Sequence, residues 1–198
     1  MITIGITGGV GSGKSEVLTF LEEKYDALAI RTDLVARELM SAGGACFAPV
    51  AELFGPEVIG PDGEFDRKKI AAIVFQDKGK LEELNAITHP AVKIEVKRQI
   101  DRAEKAGVKY VFLESALLLE EKYDEICNEL WYVYAEVHVR EERLMAGRGY
   151  SIEKTHAVMK NQLPESVFRE ACHFILDNSG AFEKTAAQII EKMSGLKE

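Results

Sequence analysis

Eight residues near the start of the chain, Gly8-Gly9-Val10-Gly11-Ser12-Gly13-Lys14-Ser15, follow the pattern GxxxxGKS. Glycine at 8, 9, 11 and 13 lets the backbone curl so that several N–H groups converge on one point, the arrangement that holds phosphate oxygens. Lys14 can reach the outer two phosphates of a nucleoside triphosphate, and the Ser15 hydroxyl suits a magnesium ligand. The β-branched run Ile2–Thr7 precedes the loop. Lys14 to Lys24 follows it, with apolar side chains at Val17, Leu18, Phe20 and Leu21 in a helical pattern. Strand, glycine loop and helix in that order place a helix N-terminus behind the anion. The chemistry this implies is binding of a nucleoside triphosphate with magnesium, and transfer of its phosphate.

Other residues could serve that transfer. Asp33 stands at the carboxyl end of a second strand-like run, Ala27 to Arg31. Ligands of open α/β sheets sit beyond such ends, where a carboxylate can take the proton of an attacking hydroxyl. Asp33 equally suits the N-cap of a helix starting at Leu34. Glu114 follows the hydrophobic run Val108–Leu113, where an acid can hold magnesium through water or simply be solvated. Arg140 and Arg143 lie about 60° apart on a helix and can face one way. They could surround a γ-phosphate or pair with Glu141 and Glu142 on the surface. Arg148, between Gly147 and Gly149, marks a hinge. Arg67 and His89 are anion contacts in a basic stretch, although Pro90 at a first helical turn also makes His89 a cap-region residue.

The elements that must position these groups alternate. Strands are expected at 2–7, 27–31, 108–113, 130–135 and 174–176, with helices between them, including one from about Ala91 to Lys105 opened by His89-Pro90 and ended by Gly107. The expected fold is α/β: a five-stranded parallel sheet with a helical insert between the second and third strands. The core is expected over 1–32, 108–136 and 166–198, a helical substrate lobe over about 33–107, and a small lid over about 137–165.

Composition excludes several classes. Of 198 residues, 46% are hydrophobic, which suits a globular core. No apolar run is long enough to span a bilayer, and the strand-like N-terminus has no signal-peptide pattern. Three cysteines without ligand spacing and four histidines without HExxH or HxxxH argue against a zinc site and for reduced thiols in the cytoplasm. A net charge of −8 disfavours nucleic acid. Residues 64–110 nevertheless hold 11 Lys and Arg against 8 Asp and Glu, a local excess that suits either a small anion or a solvated helix face.

Taken together, these residues resemble the dephospho-coenzyme A kinase family. The similarity runs through Ile4–Ser15, Thr32–Leu39, Phe65-Asp66-Arg67, Val74-Phe75 to Asn85, His89-Pro90, Glu142–Met145, Arg148, Gln162 and Asp177-Asn178, from residue 2 to about 180. It implies a kinase core with a coenzyme A-side lobe and a lid, acting on ATP and dephospho-coenzyme A with magnesium. It implies Asp33 as base on the ribose 3′-hydroxyl, with Lys14 and Arg140 at the transferring phosphoryl group. Gly8 to Ser15, Arg143 and Arg148 would bind the nucleotide, Asp33, Arg67 and His89 the acceptor. The chain differs from the family pattern at Ala116, at Cys172 and at Arg140, a position that is often Gln. A monomer or weak homo-oligomer in the cytoplasm, binding neither membrane nor nucleic acid, is expected. The rival readings are another small-molecule or nucleoside monophosphate kinase, for which the insert after the second strand is too long in the small-metabolite case, and a regulatory ATPase module.

Overall fold

A computed structural model describes residues 1–196. The two last positions of the expected core, Lys197 and Glu198, lie outside the described residues. The chain divides into two units, one of residues 1–30 and 102–198, the other of residues 31–101.

The first unit is built on a sheet of five strands: β1 (Ile2–Thr7), β2 (Ala27–Arg31), β3 (Tyr110–Glu114), β4 (Glu129–Tyr134) and β5 (Phe174–Asp177), in the order β2-β3-β1-β4-β5. β1 runs parallel to β3 and β4, and β4 parallel to β5. The chain leaves β1 between two neighbours that it visits later, the switch point at which parallel sheets bind ligands. β1 is buried from Thr3 to Thr7, so it reads as a near-continuous apolar run and not as an alternation.

Helix α1 (Lys14–Lys24) packs Val17, Leu18 and Leu21 onto Ile4, Ile6, Phe112 and Trp131. These three side chains are fully buried, which stabilises the fold by about 1.5–3 kcal/mol each. Past β4 come α6 (Val137–Arg148), α7 (Ile152–Lys160) and α8 (Glu165–Ala171), then α9 (Phe182–Gly195) after β5. The α8 turn is absent from the sequence expectation. Gly147 and Arg148 are helical, and α6 ends at Gly149 with φ 61°. Arg148 is thus the last residue of a helix and does not form a hinge.

The second unit is helical: α2 (Thr32–Leu39), α3 (Phe47–Phe54), α4 (Arg67–Gln76) and most of α5 (Lys78–Lys105). Its core gathers Cys46, Val50, Phe54, Val58, Phe65 and Ile70, with Phe47 stacked on Phe65 at 4.6 Å. Asp66 caps α4 by accepting from Lys68 N at 3.0 Å and Lys69 N at 3.2 Å. The Phe65-Asp66-Arg67 motif therefore supplies a core ring, a cap and one exposed cation in sequence.

The expected break at His89-Pro90 does not occur. α5 is one helix of 28 residues with Pro90 inside it. A proline forfeits one backbone bond and crowds the preceding turn. Side chains on both sides of it, Ile87 and Ala91, pack against the same core, so the helix continues. His89 is accordingly a mid-helix residue and not part of a cap.

Candidate active site of the phosphate loop

The loop between β1 and α1 is a cradle of unpaired donors. Among the described residues, the N–H groups of Gly11, Gly13 and Ser15 have no acceptor. Unpaired N–H groups at the start of a helix form an anion site. Gly13 sits at φ 89°, the left-handed conformation that aims the next amides inward, and a Cβ there would strike Asn178 Nδ2. The Lys14 ammonium donates to Gly8 O at 2.6 Å and Gly9 O at 3.3 Å, tying it to the first half of the loop. The Ser15 side chain is exposed at the helix start.

Four side chains from distant parts of the sequence hold this loop. Arg140 of α6 donates through Nε to Val10 O at 2.9 Å and through Nη2 to Gln162 Oε1 at 3.1 Å. The same Gln162 oxygen accepts from Val10 N at 2.8 Å. Arg143 Nη1 approaches Ser12 O at 3.4 Å, and Asn178 Nδ2 donates to it at 2.8 Å. Asn178 is fully buried, and its own oxygen accepts from Thr185 Oγ1 at 2.9 Å. The loop is thereby fixed through the carbonyls of Val10 and Ser12.

The surface-pairing alternative for the arginines fails on this geometry. Both guanidinium groups bond to loop carbonyls, and Glu141 is instead paired with His156 of α7 at 2.7 Å. Arg140 lies so close over Gly9 that a Cβ there would collide with its guanidinium. Burial lowers the Arg140 pKa, while Tyr132, Glu165 and Tyr134 act in the opposite direction. A guanidinium keeps its charge at neutral pH regardless. Arg140 and Gln162 line, with Gly9, Tyr132 and Phe168, a cavity of about 340 Å³. Arg148 is exposed and makes no ion pair among the described residues.

Glu114 is the last residue of β3, half-buried and in register with Ile6 of β1, one residue before Thr7 and the loop. No group of three or more His, Cys, Asp or Glu side chains suitable for a metal exists among the described residues. Magnesium needs no such cage, because it keeps several waters and takes one or two protein oxygens beside the phosphates. A serine hydroxyl at the helix start and a carboxylate at the neighbouring strand end fit that demand.

In the second unit, Asp33 is the second residue of α2, exposed, and its side chain caps nothing. The capping alternative therefore does not hold; Arg31 occupies the N-cap position. Asp33, Arg37 and Arg67 line one cavity of about 300 Å³. None of the three has a side-chain hydrogen bond or ion pair among the described residues. His89, half-buried, lines neither this cavity nor its larger neighbour.

Sequence spacing alone missed Gln162, Asn178 and Arg37 as site residues. Each stands in a stretch without its own motif. Only the resemblance touched them, and it gave none of them a role.

Comparison with known proteins decides the family. The dephospho-CoA kinase family model matches residues 2–184. The chain belongs to the dephospho-CoA kinase family. It is 36% identical over 187 residues to a dephospho-CoA kinase of Carboxydothermus hydrogenoformans, covering 94% of this chain and 90% of that protein. With the dephospho-CoA kinase of Shouchella clausii it shares 34% identity over 191 residues, 96% of each chain. Among solved structures, a Thermus thermophilus protein covers 100% of this chain and 98% of its own at 31% identity, with a TM-score of 0.82. A shikimate kinase from Acinetobacter baumannii, at 14% identity and a TM-score of 0.53 over 100% of this chain and 96% of its own, shares the fold. The five-stranded parallel α/β architecture read from the sequence is thus the kinase fold of this family. Among the described residues, no helix is long and apolar enough to cross a membrane.

Proposed function

We infer that the chain transfers the γ-phosphate of ATP to the 3′-hydroxyl of dephospho-coenzyme A, giving coenzyme A and ADP, the last step of coenzyme A synthesis. The observation that carries this reading is the braced loop with three free N–H donors in a chain that matches the dephospho-CoA kinase family over residues 2–184. The family relatives are dephospho-CoA kinases, so another small-molecule or nucleoside monophosphate acceptor is not favoured.

The roles assigned to the residues follow from charge. The ribose oxygen attacks the γ-phosphorus, the bond from that phosphorus to the β–γ bridging oxygen breaks, and the electron pair leaves with ADP. The free amides of Gly11, Gly13 and Ser15 hold the phosphates within the loop of Gly8, Gly9, Val10 and Ser12, and Lys14 follows the charge as it moves to the leaving oxygen. Arg140 holds the loop and offers its remaining Nη1 to the phosphoryl group; Arg143 and Arg148 bind the nucleotide from α6. Asp33 orients the 3′-hydroxyl and receives its proton. Arg67 binds the acceptor's anionic part, and His89 supports it from α5. When bound, magnesium neutralises charge on the phosphates; Ser15 would hold it directly and Glu114 through water. The enzyme works in the cytoplasm as a monomer or weak homo-oligomer.

The test is ADP release coupled to a second enzyme, with and without dephospho-coenzyme A. ADP that appears only with that acceptor supports the reading. Equal release without acceptor, or release driven instead by shikimate or a nucleoside monophosphate, contradicts it.

A further inference from the structure

Backbone groups alternate in role along the phosphate loop. The Val10 N–H donates to Gln162 and the Ser12 N–H to Gly9 O at 3.1 Å, while the N–H groups of Gly11 and Gly13 have no acceptor among the described residues. The two carbonyls gripped by distant side chains are those of Val10 and Ser12. Each belongs to the same peptide unit as a free N–H: Val10 O with Gly11 N–H, and Ser12 O with Gly13 N–H. A trans peptide is planar, so its C=O and N–H point in opposite directions. No peptide bond among the described residues is cis. A side chain that fixes such a carbonyl therefore also aims the amide behind it.

For the Gly13 amide the shorter grip is that of Asn178, which stands just after β5. The Asn178 N–H donates to Tyr134 O at 2.8 Å, so its backbone is tied to β4. Its side chain lies against Gly13, where a Cβ would strike it. Only Nδ2 can donate to Ser12 O; a rotated amide would set Oδ1 against that carbonyl, acceptor against acceptor. The partner of Oδ1 is Thr185 of α9, which is 1% exposed. The Thr185 hydroxyl lies 2.9 Å from Asn178 Oδ1 and 3.2 Å from Asp177 O. Asp177 O already accepts from Gln188 Nε2 at 2.9 Å, so the single hydroxyl proton serves Asn178. Thr185, Asn178 and Ser12 thus form one buried hydrogen-bonded chain from the C-terminal helix to the phosphate loop.

We propose that Thr185 is a positioning residue for the nucleotide. Through Asn178 it sets the Ser12–Gly13 peptide so that the Gly13 N–H faces the phosphates. Thr185 itself touches neither substrate; it acts on one phosphate contact from the far side of the loop. This inference rests on the reading of the loop as the ATP site, and not on the choice of acceptor.

The test uses the full chain and ADP with magnesium. Thr185→Val keeps the shape and removes the hydroxyl; Thr185→Ser keeps the hydroxyl. Calorimetric titration without acceptor is expected to show ADP bound about tenfold more weakly by Thr185→Val, the loss of one well-aimed hydrogen bond to a charged group. Thr185→Ser recovers most of that loss, and the KM for dephospho-coenzyme A at saturating ATP is unchanged in both. A merely structural role would lower the melting temperature and leave ADP affinity as it was, which overturns the proposal. Equal weakening of ADP and dephospho-coenzyme A overturns it too, as does a serine variant no better than the valine one. A further measurement needs no variant. In the 15N-labelled unaltered protein the Gly13 amide proton is expected to move downfield on adding ADP, and a resonance that stays in place overturns the proposal even if Thr185→Val does not fold. If the unaltered enzyme binds ADP and the predicted pattern holds but no phosphate reaches dephospho-coenzyme A, the acceptor reading fails and this inference stands. If transfer occurs and the pattern is absent, this inference alone fails.

Discussion

The Gln162 side-chain oxygen accepts the Val10 N–H at 2.8 Å across 152 residues of sequence. It also accepts from Arg140 Nη2, whose Nε holds the Val10 carbonyl. Both backbone groups of one loop residue are therefore held, the carbonyl from α6 and the N–H from the turn after α7. The phosphate loop and the helices of the expected lid are one hydrogen-bonded unit.

Gln162→Leu keeps the side chain's approximate size and removes the acceptor from two donors. Leaving buried donors unpaired costs about 1–3 kcal/mol. The variant is expected to fold, with kcat reduced about tenfold or more, because a misplaced loop loses alignment of the reacting groups. Gln162→Glu restores an acceptor for Val10 N–H and Arg140 and recovers part of that loss. Steady-state kinetics with melting curves on both variants check this. Equal kcat for Leu and the unaltered enzyme would make the link a passive contact.

Glu129 gives stability a pH dependence at the far side of the sheet. Burial raises its pKa, but hydrogen bonds from Lys192 and Trp131 and the nearby charges of Lys192 and His173 outweigh it, so the net shift is downward from 4.5. Its carboxylate meets Lys192 Nζ at 2.9 Å and Trp131 Nε1 at 3.0 Å. A group depressed in the folded state contributes fully above its unfolded pKa, and that contribution disappears as the pH falls through the folded value. Urea unfolding between about pH 7 and about pH 3 is expected to show a loss that Glu129→Gln reduces. An unchanged slope in the variant would mean that the pair contributes nothing.

The thiols are expected to be inert. Burial pushes Cys172 up to about 12, and burial with the Asp124 charge does the same for Cys127. Burial alone raises Cys46, which is 2% exposed. The thiolate is the reactive form, so a chromogenic disulfide at about pH 8 should label the native protein slowly and the unfolded protein at all three positions. Fast labelling of Cys127 or Cys172 in the native state would show that its surroundings open.

The sequence carried the fold well wherever local pattern and final structure agree. β1, the glycine loop and α1 are adjacent in the chain, so spacing alone shows strand, cradle and helix. The boundaries of β2 and of the C-terminal helix start were legible for the same reason. What spacing could not show depends on contacts between distant segments. Pro90 looks like a breaker until Ile87 and Ala91 are seen on one core. Arg148 looks like a hinge because glycines flank it, yet Gly149 alone carries the left-handed turn. Gln162 and Asn178 are ordinary polar residues until the chain brings them to Val10 and Ser12. Asp33 could have been a cap or a base by sequence; the structure removes the cap and leaves an exposed carboxylate among two unpaired arginines.

That carboxylate offers the most direct measurement. Asp33→Asn keeps size and shape and removes only the charge and the proton acceptor. Because Asp33 caps nothing, neither Asn nor Ala there should lower the melting temperature by more than a surface change does. With ATP and dephospho-coenzyme A pre-mixed at saturating enzyme, the single-turnover rate of Asp33→Asn is expected to fall about 100-fold or more, with ATP affinity unchanged. A single-turnover rate equal to that of the unaltered enzyme would contradict the assignment of Asp33 to the acceptor hydroxyl.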